Sequence, residues 1–329
     1  MSGRAALLPT PGDPYVLTYW LRNYERVWRD EVDDLLVLVN GQPDPECRAW
    51  IRTAVERVGG QYLEGPHGIG HGGALTVLLD ACDDETDIVV LVEDDGRVRR
   101  AGEIAGHVER VRSGAVDVVA SPRTSMSPEL HDAAARRWGG IDALADGSWG
   151  YGMWTCFLFA RLGALLATAR DLGARGWVSG ERVPGIDHVA QTTVAADTFG
   201  ATAFQLRDAF RVEHVPQYKG PWLWREQIEL GHTIPWFHIG SLSSWGRLTD
   251  PTAELACNRR LDTKEEVGEW GHRLHWWLRF LRLAGDDLPE HQARYSENLD
   301  RLMAAIGVTR EDAGAGDDGV DAMVTWDEG

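Results

Sequence analysis

The stretch DIVVLVEDDGRV, residues 87–98, places three consecutive acids directly after a run of apolar, mostly β-branched residues. A short continuous apolar run is typical of a buried strand that is covered on both faces. Glu93, Asp94 and Asp95 repel one another, and Gly96 follows them. Because this repulsion costs electrostatic energy at the end of a buried strand, it indicates a binding role for the acids.

Strand-like and helix-like segments alternate on both sides of this stretch. The pattern predicts strands at 14–20, 34–41, 61–66, 87–95, 115–123 and within 148–160, and helices at 21–32, 44–60, 72–84, 100–114 and 161–173. Such alternation predicts an α/β fold, with a mostly parallel sheet and helices on both faces. Ligands of these sheets bind beyond the carboxyl ends of the strands, and that is where the three acids lie.

The pattern divides the chain into five segments. We expect a flexible N-terminus (1–13), an α/β domain (14–215), Trp- and His-rich loops (216–261), C-terminal helices (262–306) and an acidic, disordered tail (307–329). The C-terminal helical extension is predicted from apolar residues that recur at helical spacing after residue 262. The tail has seven acids and no Lys or Arg from 311 onward, which is typical of disordered segments.

Composition limits the partners of the protein. The formal net charge of −18 argues against broad nonspecific binding to nucleic acid or to anionic membranes, although it leaves a local basic groove open. The four cysteines form no CxxC pair, which favours free thiols in a reducing compartment. No secretory signal and no apolar run of about 18 residues is evident. We therefore expect a soluble, cytoplasmic protein without a membrane partner, and the sequence does not predict its oligomeric state.

Carboxylates at the end of a strand can converge on a divalent cation, which removes their mutual repulsion. Hard oxygen ligands suit Mg²⁺ or Mn²⁺. A bound cation of this kind can hold a diphosphate and neutralise charge on a departing phosphate. The alternative is an acidic turn that only terminates the strand.

The segment VVLVEDDGRV resembles the DxD region of GT-A fold glycosyltransferases, in particular family-2-like enzymes that use nucleotide sugars. The resemblance implies a Rossmann-like GT-A fold over about residues 15–215. It implies that Asp95 binds Mn²⁺ or Mg²⁺, that Asp94 contacts the metal or the ribose, and that Glu93 contacts the donor. The donor substrate would be a nucleoside-diphosphate sugar. The resemblance thus implies that residues 14–215 form the nucleotide-sugar-binding and catalytic domain and that residues 216–261 are active-site loops.

A glycine-rich segment, GPHGIGHGGALTVLLDAC (65–82), precedes the acidic strand. Its glycines spell G-x-G-x-x-G, and Glu93 follows 20 residues after Gly73, as in a dinucleotide-binding fingerprint. That spacing keeps an NAD-dependent oxidoreductase open, but the fingerprint normally follows the first, strongly apolar strand. The glycosyltransferase resemblance instead implies that Gly70, His71 and Gly73 help to hold the nucleotide and the donor sugar.

Two downstream segments resemble further parts of these enzymes. In IPWFHIGSLSSWGR (234–247), the resemblance implies that His238 completes the metal shell, with His214 and His232 as competitors, and a structural histidine is the alternative. In SGERVPGIDHVAQTTVAADTFG (179–200), the resemblance implies that Asp187 is the general base that deprotonates the acceptor. Glu181 is the second choice for the base, and a helix N-cap is the alternative role of Asp187.

The expected activity is transfer of a sugar from a nucleoside-diphosphate donor to a hydroxyl acceptor, with inversion if Asp187 is the base. The remaining donor-binding candidates are Thr18, Tyr19, Arg22 and Asn40, expected in the first βα loops, and Trp245. The acceptor would be a small molecule, a glycan or a hydroxymethylated DNA base. A nucleotidyltransferase and an inactive sugar-nucleotide-binding module are further alternatives.

Tryptophan is unusually common, with 15 residues in the chain. Several lie in Gly- and Pro-rich stretches, where exposed rings could stack on sugars or bases. These candidates are Trp149, Trp154, Trp222, Trp224, Trp236 and Trp245. In the DNA alternative, Trp222, Trp224 and Trp245 would stack on a flipped base. Arginines would then contact the phosphates, with Arg99, Arg100, Arg123, Arg136 and Arg137 as candidates.

Overall fold

The computed structural model describes residues 3–41, 43, 45–66, 69–98, 100–120, 122–123, 152–153, 155–171, 211–215, 236–238 and 304. The helices of this part of the chain are α1 (Pro14–Asn23), α2 (Pro45–Arg57), α3 (Gly70–Asp80), α4 (Glu103–Arg112) and α5 (Leu162–Asp171). Its first strands are β1 (Gly3–Thr10), β2 (Asp34–Val39), β3 (Gln61–Glu64), β4 (Thr86–Leu91) and β5 (Gly96–Val98). The others are β6 (Val118–Ala120), β7 (Pro122–Arg123), β8 (Gly152–Met153), β9 (Leu158–Arg161), β10 (Val212–His214) and β11 (Trp236–His238).

Seven of these strands form one mixed, mostly parallel sheet in the order β10-β6-β9-β4-β1-β2-β3. Strand β9 runs antiparallel to both of its neighbours, β4 and β6, whereas the other pairs are parallel. Two short antiparallel pairs, β5 with β11 and β7 with β8, lie outside the sheet. The predicted α/β class with a mostly parallel sheet is confirmed.

Helices cover both faces of the sheet, also as predicted. On one face, α1, α2 and α4 bury residues such as Leu17 and Ile51 against Ala6 and Leu8 of β1. On the other face, α3 and α5 pack on the alternate residues of β1, including Leu7. Successive side chains of a strand point to opposite faces, so a strand covered on both sides reads as a continuous apolar run.

The start of the chain differs from the sequence-based expectation. The expectation of a flexible N-terminus over 1–13 is wrong for most of this segment, because Gly3–Thr10 forms β1 and pairs with both β2 and β4. Alanine has a low intrinsic strand propensity, but pairing on two sides and complete burial override it.

The predicted strand at 14–20 is wrong, since these residues begin helix α1. The buried Asp13 carboxylate accepts a hydrogen bond from the backbone N–H of Val16 (3.1 Å). Asp13 therefore caps the helix, and Pro14 occupies the first helical position, where its missing N–H costs nothing. This signal outweighs the β-branched and aromatic residues that suggested a strand.

The segment after α1 is a tight helical continuation rather than a regular helix over 21–32. A single π-helical turn spans Tyr24–Trp28, and a 3₁₀ turn spans Arg29–Glu31. Trp28 and Tyr24 become buried and stack edge-to-face with their ring centroids 4.9 Å apart. Glu31 reaches the start of α4, where its carboxylate accepts from the N–H of Gly102 (2.6 Å) and of Ala105 (2.7 Å).

Trp236 was expected among exposed, ligand-stacking aromatics, and this expectation is wrong. Its side chain is fully buried and lies against Phe157 and Phe159, with ring centroids 5.2 and 5.8 Å away. Strand β11, which carries Trp236, pairs with β5 directly after the three acids. The ring therefore anchors β11 to the core and is not available for stacking on a ligand.

Several further expectations lie outside the described residues. These are the other Trp candidates, the C-terminal helices and the acidic tail. Among the helices that the structure describes, none has the length and apolar character needed to cross a membrane.

Close packing between the first two βα loops predicts a strong effect of one added methyl group. A Cβ on Gly41 would lie 1.8 Å from the carbonyl oxygen of Pro11, whereas a Cβ on Gly106 of α4 would meet no atom within 4 Å. We expect Gly41→Ala to lower the free energy of unfolding by about 3 kcal/mol, since the backbone must move. Gly106→Ala should raise it by about 0.5–1 kcal/mol. Urea unfolding of both variants measures this difference, and equal effects would contradict the packing.

Candidate active site

The topological switch point of the sheet lies between β1 and β4. From β1 the chain adds β2 and β3 on one side, and it then crosses to place β4 on the other side. In open α/β sheets the crevice beyond the carboxyl ends of such neighbouring strands is the usual ligand site. Thr10 ends β1, and the acids follow β4. The three acids of the opening stretch therefore lie at the switch point.

A direct hydrogen bond joins the ends of these two strands. The hydroxyl of Thr10 donates to Oδ2 of Asp94 (2.7 Å), and both side chains are buried. The same hydroxyl accepts from the backbone N–H of Gly12 (3.1 Å). Thr10 thus ties the loop between β1 and α1 to the acidic turn.

Asp94 and Asp95 are each only 4% exposed, although they are adjacent carboxylates. Burial, followed by the negative charge of Asp95, raises the pKa of Asp94 to about 7. The charge of Asp13 raises the pKa further, whereas the Thr10 hydrogen bond and Arg97 oppose the shift. Water does not shield the repulsion between such buried charges effectively. A divalent cation would relieve it, and two carboxylates are a hard-oxygen donor set that fits Mg²⁺ or Mn²⁺.

A buried guanidinium fixes the backbone of the acidic turn. Arg97 is 3% exposed, and its Nη1 donates to the carbonyl oxygens of Asp94 (2.7 Å) and Gly96 (2.6 Å). Its Nη2 donates to the carbonyl oxygen of Val16 in α1 (3.2 Å). The five fixed donors of arginine suit this role. The turn that carries both acids is therefore held against the first helix of the protein.

Steric crowding explains why a glycine, Gly96, follows the three acids. A Cβ on Gly96 would lie 2.5 Å from Sγ of Cys156 and 2.9 Å from the ring of Phe157. The backbone N–H of Gly96 donates to the carbonyl oxygen of Glu93 (3.0 Å), which closes the turn. Strand β5 then continues alongside Asn23, whose side-chain amide exchanges two hydrogen bonds with the backbone of Val98.

The first acid of the stretch has different partners from the other two. Oε1 of Glu93 accepts a hydrogen bond from the hydroxyl of Thr155 (2.5 Å). Nε2 of His71 lies 3.4 Å from that hydroxyl oxygen and 3.9 Å from Oε1 of Glu93. The structure thus brings Glu93 and His71 together and adds Thr155 to them.

The other donor-binding candidates occupy two different positions. The backbone N–H of Asn40, which follows β2, donates to the carbonyl oxygen of Thr10 (3.0 Å), so Asn40 lies at the strand ends. Thr18, Tyr19 and Arg22 lie in helix α1 and not in a βα loop as expected, and the side chain of Thr18 is buried. The loop that follows β1 consists of residues 11–13.

The glycine-rich segment follows an edge strand. Helix α3 begins at Gly70, two residues earlier than predicted, and Gly73 lies within its first turn. This helix comes after β3, the last strand on its side of the sheet. In a dinucleotide-binding fold the fingerprint instead follows the first, central strand of the unit. The position of the segment therefore disfavours the NAD-binding interpretation.

The backbone register favours His238 over His214 as a neighbour of the acids. His238 pairs with Gly96. His214 lies instead in β10, at the far edge of the sheet, and pairs with Ala120 of β6. The other candidates lie outside the described residues, and these are Asp187, Glu181, His232 and Trp245. Within the part of the chain that the structure describes, no group of three or more His, Cys, Asp and Glu side chains is arranged to hold a metal ion.

Four site residues were not predicted from the sequence: Thr10, Asp13, Arg97 and Thr155. Asp13 had a readable signal, because Asp directly before Pro is typical of a helix start. Arg97 lies inside the opening stretch, but only the fold shows that its side chain turns back to the acidic turn. Thr10 and Thr155 carry no local signal, since their partners are 84 and 62 residues away along the chain.

No protein-family model matches the sequence, and no curated protein matches it significantly. Solved structures similar to this chain include glucosyl-3-phosphoglycerate synthase from Mycobacterium tuberculosis in complex with phosphoglyceric acid. That match has 19% identity, covers 61% of this chain and 68% of the other, and has a TM-score of 0.36. Another similar structure is that of residues 1–349 of S. aureus TarS in complex with UDP. This match has 10% identity, covers 93% of this chain and 90% of the other, and has a TM-score of 0.42.

A third similar structure is 4-diphosphocytidyl-2C-methyl-D-erythritol synthase from Anaerococcus prevotii. This match has 14% identity, covers 65% of this chain and 86% of the other, and has a TM-score of 0.40. A match to a mycobacterial protein spans about half of that protein (54%), with 22% identity over 50% of this chain and a TM-score of 0.35. Identities and TM-scores this low carry no inference about function. The fold class rests on the strand order and pairing described above.

Proposed function

We propose that this protein is a metal-dependent glycosyltransferase that moves a sugar from a nucleoside-diphosphate donor to a hydroxyl acceptor. The observation that carries the proposal is the buried Asp94–Asp95 pair at the switch point of a mostly parallel sheet. An acidic turn with no ligand would gain nothing from burying two adjacent carboxylates. A cation with its diphosphate explains the burial, the adjacency and the position.

In this proposal Asp95 and Asp94 hold Mn²⁺ or Mg²⁺, and His238 supplies a further ligand. The bound cation would neutralise charge on the departing diphosphate. The chain itself supplies a rigid support. Thr10 orients the Asp94 carboxylate, and Arg97 holds the turn.

The nucleoside would bind next to the acids, against the packed surface that the loop at 11–13 and Asn40 form at the strand ends. Asn40 lies at the strand ends, next to Thr10. Residues of the adjoining helix α1, Thr18, Tyr19 and Arg22, would support this loop or reach its outer side, and Trp245 would stack on the donor. Gly70, Gly73 and His71 lie at the start of α3, where His71 approaches Glu93 within 3.9 Å. The donor sugar would therefore contact the start of α3 and the acidic turn.

Asp187 would act as the general base that accepts the proton of the acceptor hydroxyl during attack on the anomeric carbon. Attack from the face opposite the leaving diphosphate inverts the configuration. The proposal for Asp187 is supported by the sequence resemblance of its segment. An Asp187→Asn variant with wild-type turnover would exclude it as the base.

The deciding experiment is a screen of nucleotide sugars with Mn²⁺, by thermal shift and then by product analysis. We expect one donor to raise the melting temperature in a cation-dependent way, and we expect slow cation-dependent hydrolysis to a nucleoside diphosphate without acceptor. Release of pyrophosphate from a nucleoside triphosphate would instead indicate a nucleotidyltransferase. Binding of NADH without any nucleotide sugar would indicate an oxidoreductase.

A further inference from the structure

The acidic turn is connected to the segment before β9 by one buried hydroxyl. Thr155 is 3% exposed, whereas the side chain of Glu93 is 17% exposed and that of His71 is 40% exposed. The hydroxyl donates to Glu93, so its lone pairs remain for an N–H of His71, at 3.4 Å. A buried group thus orders two side chains that reach the surface of the site.

The backbone around Thr155 is fixed by unusual packing. Phe157 has a φ of 60°, a left-handed conformation that bulky residues rarely adopt. Its ring is fully buried and contacts Trp28 and Trp236, with centroids 6.1 and 5.2 Å away. Strained residues of this kind persist where the surrounding structure holds them, and they cluster at functional sites. Here the packing fixes the direction in which Thr155 points.

We propose that Thr155 is a positioning residue that holds Glu93 and His71 in one fixed arrangement, so that both contact the sugar of the bound donor. The inference rests on the proposed function, and it extends that function to a residue that itself need not touch the donor. Three chain segments contribute: the start of α3, the turn after β4 and the segment that leads into β9, which carries Thr155. Without the Thr155 hydroxyl, the Glu93 carboxylate loses the hydrogen bond from this buried donor.

The test compares Thr155→Val, which keeps the shape but removes the hydroxyl, with Thr155→Ser, which keeps the hydroxyl. Thr86→Val is the matched control, because the Thr86 hydroxyl also donates to a carboxylate, Asp83 (3.0 Å), but at the end of β4 opposite the acids. Dissociation constants are measured by calorimetry with Mn²⁺ for UDP-glucose, UDP-N-acetylglucosamine, GDP-mannose and dTDP-glucose. The tightest of these donors is then compared with its own sugar-free nucleoside diphosphate.

We expect Thr155→Val to weaken the binding of the nucleotide sugar about tenfold, as for the loss of a hydrogen bond to a charged group. Binding of the sugar-free nucleoside diphosphate should change by less than about twofold. Thr155→Ser and Thr86→Val should bind both ligands as the wild type does. In a Glu93→Gln background, Thr155→Val should have a smaller effect than in the wild type, because the two changes remove one interaction.

Two failures can be told apart. If the wild type binds no member of the panel, the proposed function fails. If the wild type binds a donor but Thr155→Val weakens the nucleotide sugar and the nucleoside diphosphate equally, or weakens neither, the positioning role is wrong. A serine variant as weak as the valine variant would also overturn it, since the hydroxyl would then not matter.

Discussion

Asp95→Asn is expected to reduce cation-dependent turnover of the nucleotide sugar by about 10²–10³-fold, because a bound cation supplies several kcal/mol of charge stabilisation. The same change should leave the melting temperature equal or higher. It removes one of two adjacent buried charges while keeping the size of the side chain. Turnover is measured as release of nucleoside diphosphate, and Mn²⁺ binding is measured separately by electron paramagnetic resonance.

Asp83→Asn is the matched control for this prediction. Asp83 also follows an apolar segment, but it lies just before β4, at the end of this strand opposite the acids. There its carboxylate accepts from the N–H of Glu85 (3.0 Å) and of Thr86 (2.9 Å). This variant should retain wild-type turnover and Mn²⁺ binding. Full activity of Asp95→Asn with unchanged cation dependence would contradict the assignment of Asp95 as a metal ligand. A large loss of stability without a change in Mn²⁺ binding would instead mean that Asp95 only shapes the turn.

Arg97→Met is expected to lower the free energy of unfolding by about 3–5 kcal/mol, the usual effect of removing one member of a buried charged cluster. The change leaves three carbonyl acceptors of Arg97 without this donor, and it removes a cation that lies close to Asp94. Arg97→Lys should fall between Arg97→Met and the wild type, since lysine keeps the charge but lacks the planar set of donors. Urea unfolding of the three proteins measures the differences.

Arg100→Met is the control for the loss of an arginine. The side chain of Arg100 is 61% exposed, and its ion pair with Glu103 lies on the surface. Exposed pairs of this kind contribute little to stability, so the free energy of unfolding should change by less than about 1 kcal/mol. If the two methionine variants were equally stable, Arg97 would not be the residue that holds the acidic turn.

Much of the fold was readable from local patterns. The strands at 34–41, 61–66 and 87–95 and the helices at 44–60, 72–84 and 100–114 correspond to β2, β3, β4, α2, α3 and α4 within a few residues. Each has a strong apolar period and clear boundary signals. The errors lie at the start of the chain, where β1 has weak strand propensity and where the cap at Asp13 was overlooked.

The candidate site, too, was predictable from the sequence only in part. The position of Glu93, Asp94 and Asp95 at a strand end was predictable, because the apolar run and the acids are adjacent in the sequence. Their division of roles was not, since it depends on partners from distant segments. Asp94 is held by Thr10, whereas Glu93 is held by Thr155.

The sequence by itself therefore determined the layered α/β class and the position of the three acids at a strand end, because hydrophobic period and the order of neighbouring residues are local properties. Only the tertiary structure decided that residues 3–10 form a central strand, that the acids lie at the switch point beside this strand, and that Arg97 and Thr155 hold the acidic turn. The physical reason is that strand order and buried hydrogen bonds join groups that lie far apart along the chain. Those partners are selected by the geometry of the packed sheet and not by neighbouring residues.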